Sequence, residues 1–141
     1  MGKFKISPEE FRKILDGIDL KSISLQESRA YLNPEIKIPQ NITSKISEEA
    51  NYKIRDSGIV DIFQKYKVDA RQPKSKSRYI QIEITFLVRI ASDLEFTEDF
   101  FEVYKSINLH LNTWPYLREF VNQATARMNV PPLTLPLYKT D

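Results

Sequence analysis

Apolar and polar residues alternate most strictly over residues 79 to 91, where Ile80, Ile82, Ile84, Phe86, Val88 and Ile90 share one parity. Tyr79, Gln81, Glu83, Thr85 and Arg89 take the other, with Leu87 as the exception. A period of two sends successive side chains to opposite faces, so this run predicts a strand in an antiparallel sheet with one covered and one wetter face. From about Ile59 to Ala70 the pattern recurs, with Ile62, Tyr66, Val68 and Ala70 on one face and Phe63, Lys65, Lys67 and Asp69 on the other. The polar stretch from Arg71 to Arg78, with Pro73 inside it, reads as the hairpin loop between these strands. Over residues 18 to 32 the alternation changes phase near Lys21: Ile18 and Leu20 are even, Ile23 and Leu25 odd, which predicts a bulged strand. Asn33-Pro34 makes a turn, and Ile36, Ile38, Ile42 and Ile46 predict short extended or irregular segments interrupted by Pro39.

Helical periodicity appears three times. Ser7-Pro8-Glu9-Glu10 supplies a cap, a first-turn proline and two acids where the helix dipole favours them. It predicts a helix over about 8 to 16 with Phe11, Ile14 and Leu15 inward and Gly17 as its stop. Thr97-Glu98-Asp99 caps a second helix over about 98 to 110, with Phe100 or Phe101, Val103, Tyr104, Ile107 and Leu111 facing the core. Pro115 fits a first helical turn, so a third helix is expected from about Trp114, capped by Asn112 or Thr113. Its apolar stripe is Leu117, Phe120, Val121, Ala124 and Met128. Asn129 suits a left-handed C-terminal cap, and Pro131 and Pro132 turn the chain into an extended run carrying Leu133, Leu135 and Leu137. Three to four strands followed by helices give an α+β order in one domain, 1 to 141, with residues 1 to 17 as an N-terminal helical extension.

Composition narrows the chemistry. The 141 residues carry 21 Lys and Arg against 19 Asp and Glu, a balance that announces neither a nucleic-acid binder nor an acidic one. Cysteine is absent, which excludes disulfides and thiolate metal sites and fits a reducing cytosol. The basic N-terminus has no apolar core of signal-peptide length and no window is long enough to span a bilayer, so a soluble cytoplasmic protein is expected. With only Gly2, Gly17 and Gly58, a phosphate loop cannot form. His110, inside Asn-Leu-His-Leu-Asn near a helix end, reads as a capping or hydrogen-bonding residue rather than a general base. Glu48-Glu49 and Glu98-Asp99 are neighbours that point apart, so they solvate surfaces or cap helices. No metal, cofactor or catalytic set is expected. The basic run Lys65, Lys67, Arg71, Lys74, Lys76 and Arg78 offers weak nucleic-acid binding as one alternative, but a solvated loop that guards a sheet edge is the better reading.

Eight Phe, seven Tyr and one Trp are a generous aromatic supply. Phe86, Phe100, Tyr104 and Phe120 are assigned to the core. Tyr31, Phe63, Tyr66, Trp114, Tyr116 and Tyr138 sit at element ends or on the less apolar face; each alone is a structural residue, and together they are candidates for a groove.

The C-terminal segment carries a resemblance. Trp114, Pro115, Tyr116, Arg118 and Glu119 match a hydrophobic-Pro-Tyr-x-Arg-Glu helix start, and Arg127, Pro131, Leu133 and Leu135 match a following Arg and Phe-Pro-x-Leu-x-Leu run. Asn129 and Val130 stand where that pattern has a small residue and Phe. Leu20-Lys21-Ser22-Ile23-Ser24-Leu25-Gln26 is a weaker echo of a first strand. In these residues the chain resembles SecB, the bacterial export chaperone family; over roughly half the chain between them the patterning is compatible and no more.

The resemblance implies an antiparallel sheet of about four strands with helices packed on one face, assembled as dimers or a tetramer. It implies a holdase that keeps unfolded or nascent polypeptide in apolar grooves without ATP. By correspondence Ile23, Leu25, Trp114, Tyr116, Leu117 and Phe120 lie at subunit contacts, and Leu133, Leu135 and Leu137 border the client groove. With Tyr31, Phe63, Tyr66 and Tyr138 they form the expected client-binding set. The chain stops at Asp141, without the family's final helix and acidic tail, and Lys65, Lys67 and Arg89 mix with Asp69 and Glu83 where the family offers its translocase motor, SecA, an acidic face. A dedicated client, such as the labile antitoxin that some SecB-like relatives guard, therefore fits at least as well as export through SecA. The rival outside this class is a non-enzymatic adaptor with one folded partner.

Overall fold

The computed structural model describes residues 4–37, 42–72, 77–133 and 135. In chain order they form α1 (Pro8–Leu15), β1 (Ile18–Leu32), β2 (Thr43–Ile54), β3 (Ile59–Arg71), β4 (Arg78–Ser92), α2 (Glu98–Ser106) and α3 (Asn108–Arg127). The strands make one four-stranded antiparallel sheet in the order β1-β4-β3-β2.

Strict alternation in β3 and β4 becomes burial on one face. Ile62, Tyr66, Val68, Ile80, Ile82, Ile84, Val88 and Ile90 lie under the helices, while Phe63, Lys65, Lys67, Glu83 and Leu87 remain half-exposed on the open face. The core divides along the sheet. Phe11 of α1 stacks on Phe100 of α2 at 5.0 Å over Ile62, Val88 and Ile90 at one end; Leu117, Val121 and Ala124 of α3 cover Tyr66, Val68, Ile82, Ile84 and Phe86 at the other.

The bulge expected near Lys21 is present, and a second follows it. Register shifts fall between Leu20 and Ser22 and between Leu25 and Glu27, leaving Lys21 and Gln26 as extra residues. Each bulge resets the phase, so Leu20, Ile23, Leu25, Ala30 and Leu32 all stand opposite core residues of β4, namely Ile90, Val88, Phe86, Ile82 and Ile80. The β2–β3 turn needs Gly58, whose φ is +76°; a Cβ there would also come within 2.9 Å of the Ser92 carbonyl oxygen. Three of the expected caps hold, though not Asn112 or Thr113, which lie inside α3: Ser7 Oγ accepts from the Glu10 N–H at 3.1 Å, Thr97 Oγ1 from the Phe100 N–H at 3.1 Å, and Asn129 closes α3 with φ +59°.

Several expectations fail: α2 ends at Ser106, so Ile107 and Leu111, expected to face the core, are 40% and 50% exposed, and Tyr79, read on the wetter face, is buried. Residues 43 to 54 form a full strand, β2, where short extended or irregular segments were read. The helix expected from Trp114 begins instead at Asn108, and the break falls at Ile107, with φ −124° and ψ −68°, so Pro115 is internal to α3. An internal proline costs about 3 kcal/mol. Leu109, Trp114, Leu117 and Val121 are all buried on the sheet by this helix, at about 1.5 to 3 kcal/mol for each large apolar side chain, and together they outweigh that cost.

Candidate functional site

At 100° per residue, α3 turns Leu117, Val121 and Ala124 onto the sheet and leaves two opposite flanks. The first carries Tyr116, Phe120, Gln123 and Arg127 and faces β1. The second carries Arg118, Asn122 and Thr125 and faces the chain that leaves the helix.

On the first flank the helix stops short of β1. Leu25 is 54% exposed although its strand partner Phe86 is 4% exposed. Leu20 is exposed and Ile23 half-buried, and Tyr116, itself 50% exposed, tilts over the Phe86 ring at 6.1 Å. Further along, Ala30, Phe120, Ala124, Arg127 and Met128 line an open cavity of about 650 Å³. These residues form one apolar shelf along an edge strand whose outer backbone edge has no partner among the described residues. Of the residues assigned to subunit contacts, Ile23, Leu25, Tyr116 and Phe120 come together here. Trp114 and Leu117 do not. Both belong to the chain's own core: Trp114 meets the Tyr66 ring at 5.9 Å and Leu117 is fully buried against the sheet.

The second flank is occupied by residues 130 to 133 and by Leu135. Arg118 Nε donates to the Leu135 carbonyl at 2.9 Å and the Leu133 N–H donates to Thr125 Oγ1 at 3.4 Å. Leu135 is buried and Leu133 half-buried beside Ile36, Ile42 and Ile46. Leu137 and Tyr138 lie outside the described residues.

Tyr66 is a correction. It was placed in the client-binding set, yet it is fully buried beneath α3, where its hydroxyl meets Thr113 Oγ1 at 2.7 Å and His110 Nδ1 at 3.4 Å. His110 Nε2 in turn meets Glu48 Oε1 of β2 at 2.6 Å. This chain of contacts ties the first turn of α3 to the edge strand, so His110 has the hydrogen-bonding role expected of it, at the start of a helix rather than near its end. Tyr31 and Phe63 are accessible, but on the open face, opposite Gln81 and Leu87; they do not converge with Leu133.

The open face is electrostatically mixed. Asp61 is 1% exposed, and it accepts from Arg89 Nε at 2.7 Å, Arg89 Nη2 at 3.0 Å and Arg55 Nε at 3.0 Å. The hydrogen bonds from Arg89, then those from Arg55, hold its carboxyl below the usual carboxylate range against the opposing effect of burial. Within the basic run, Lys67 pairs with Glu83 at 3.8 Å and Arg78 with Asp69 at 3.7 Å, so the sheet's own acids offset these charges; Lys74 and Lys76 lie outside the described residues. Among the described residues no three His, Asp or Glu side chains gather as metal ligands, and no helix is long and apolar enough to cross a membrane.

Sequence reading missed Leu20, Ala30 and Met128 as parts of the shelf. The first two were legible once β1 was given two bulges instead of one; Met128 was visible only as a member of the α3 stripe.

No protein-family model matches the chain, and no curated protein does. Solved structures do. The SecB-like chaperone of Mycobacterium tuberculosis, in complex with a ChAD peptide from the HigA1 antitoxin, superposes with a TM-score of 0.77 at 20% identity, covering 90% of this chain and 94% of that one. A protein of unknown function from Streptococcus agalactiae matches at a TM-score of 0.49 and 12% identity, over 85% of this chain and 97% of that one. A four-stranded antiparallel sheet of order β1-β4-β3-β2 with its helices on one face, superposable on the mycobacterial protein over nearly its whole length, is the SecB-like fold.

Proposed function

We propose that the chain is an ATP-independent holdase that binds unfolded or extended polypeptide, serving a dedicated client such as an antitoxin. The observation that carries this reading is the outer edge of β2, 12 residues long and unpaired among the described residues, beside the half-buried Ile36, Ile42, Ile46 and Leu133. An extended chain is recognised by such parts, a row of apolar contacts beside an open strand edge, and no reactive side chain is required. The mycobacterial chaperone supports the choice of client, since its structure holds a peptide from an antitoxin.

In this reading the shelf along β1 joins two copies of the chain, and the client lies on the opposite side of α3, along β2, residues 130 to 133 and Leu135. Pairing of copies would place two such client tracts on one particle and raise the effective concentration of the second for a client held by the first. The test is suppression of aggregation of a chemically unfolded model protein without nucleotide, followed by light scattering. Suppression near one chain per client is expected. Scattering unchanged at a tenfold excess of this protein would leave the fold in place and favour an adaptor with one folded partner.

A further inference from the structure

His110 is the chain's one histidine, and it sits in the first turn of α3 with its side chain 10% exposed. Its neighbours fix where the protons lie. Thr113 has a single hydroxyl proton and donates it to the Leu109 carbonyl at 2.8 Å, so at 2.7 Å from the Tyr66 hydroxyl it accepts. That contact uses the one hydroxyl proton of Tyr66, whose oxygen then accepts across the 3.4 Å to His110 Nδ1. On the other side of the ring, Nε2 faces the Glu48 carboxylate at 2.6 Å, and a carboxylate accepts. Both ring nitrogens are therefore donors, which makes the ring an imidazolium. The 2.6 Å separation agrees, since charge-assisted hydrogen bonds are the short ones.

The groups that face this ring come from four elements. β2 supplies Glu48, β3 the Tyr66 hydroxyl and α3 itself Thr113. Lys105 of α2 lines the same small cavity as Glu48 but is drawn to Glu102 at 3.1 Å, and Glu49 stands opposite Lys65 on the open face. Loss of the Nδ1 proton would remove the charge from the tie to Glu48 and turn Nδ1 from donor to acceptor. Tyr66 would then have to swing its proton from Thr113 to His110, and Thr113 its own from Leu109 to Tyr66, inside the core. We propose that His110 is a proton-controlled clasp: as an imidazolium it ties the middle of β2, through Glu48, to the first turn of α3, and on losing that charge it loosens the strand. The second tie between β2 and the helices, from the Tyr52 hydroxyl to Glu98 Oε2 at 2.9 Å, contains no imidazole and holds in both states. β2 carries the edge assigned above to the extended client, so a client should bind the loosened strand less tightly; that consequence rests on the holdase reading, whereas the clasp does not.

The test begins with the parent chain. Because there is one histidine, isotope labelling of its ring nitrogens gives NMR signals that need no assignment, followed from about pH 5 to 8. Two nitrogens of the imidazolium class should give way, as pH rises, to a neutral ring protonated at Nε2 alone. Over the same change the protected amides of residues 47 to 50 should exchange with solvent about fivefold faster, after correction for intrinsic base catalysis, while those of residues 52 to 54 keep their protection. In Glu48→Gln, which removes the charge of the partner, the ring should be neutral over more of the range and the acceleration in β2 should disappear. Suppression of client aggregation should be weaker at the upper end of the range than at the lower. A ring that keeps one charge state throughout, a neutral form protonated at Nδ1, or a titration that leaves the β2 amides unmoved would each overturn the clasp and leave the holdase reading standing. Equal suppression at both ends, with the ring and the amides behaving as expected, would overturn the link from clasp to client.

Discussion

β4 and β1 are hydrogen-bonded neighbours of equal length, 15 residues each, yet one is largely covered and the other is the most exposed strand of the sheet. Their helix-side residues are equally apolar in character: Leu20, Ile23 and Leu25 face Ile90, Val88 and Phe86. What differs is the cover. α3 lies over β3 and β4 and ends its reach at Tyr116 and Phe120, so the same side-chain chemistry forms core on one strand and bare surface on the next. Apolar patterning thus tells which face of a strand is sticky, whereas the position of the helix tells whether the chain itself satisfies that face.

The contrast is broken most severely on the covered strand. Phe86→Ala should cost about 3 to 5 kcal/mol in urea unfolding, because it empties a packed site beneath Tyr66 and Tyr116. Across the ladder, Leu25→Asp should leave the unfolding of the isolated chain nearly unchanged and weaken self-association by about 2 kcal/mol or more, read by sedimentation equilibrium. A loss of stability at Leu25 comparable with that at Phe86 would show that β1 is covered from within after all.

The open face sharpens the comparison through charge. Since the folded state depresses the Asp61 carboxyl, its contribution is fully present above the unfolded value of about 3.9 and is lost as pH falls through the folded one. Asp61→Asn should therefore cost about 2 kcal/mol at neutral pH, less than a fully enclosed pair because the Arg55 and Arg89 side chains are each nearly half exposed. The gap between variant and parent should close below about pH 4. The smallest effect belongs to the polar chain under α3: Tyr66→Phe removes the hydroxyl that joins Thr113 and His110 and should cost about 1 kcal/mol by the same assay.

These differences also explain what could be read from the sequence. β3, β4 and the helix caps were legible because local rules and burial agree there. β2 was not, because Ser44, Lys45, Ser47, Glu48 and Glu49 leave little alternation to detect, although Ile46, Ala50 and Tyr52 pack on the helix side. The start of α3 was misplaced for a different reason: Pro115 marks a helix beginning by local rules, but burial of Leu109, Thr113 and Trp114 ahead of it extends the helix back to Asn108. For the candidate site, Ile23, Leu25, Tyr116 and Phe120 could be named separately, and only the register of β1 against β4 shows them as one surface. Tyr66 was misassigned as a residue of an element end or the less apolar face although it shares its parity with Ile62, Val68 and Ala70; Thr113 and His110, 47 and 44 residues away, meet its hydroxyl in the core.

The account stands or falls on whether the tract along β2 and the second flank takes an extended chain rather than a folded one. The direct measurement is a titration with one model protein in two forms, native and permanently unfolded by reduction and alkylation, followed through the fluorescence of Trp114 at the base of the second flank. A saturable response to the unfolded form alone, independent of ATP, is predicted. A response to the native form with none to the unfolded one would contradict the account and identify the chain as an adaptor for folded partners.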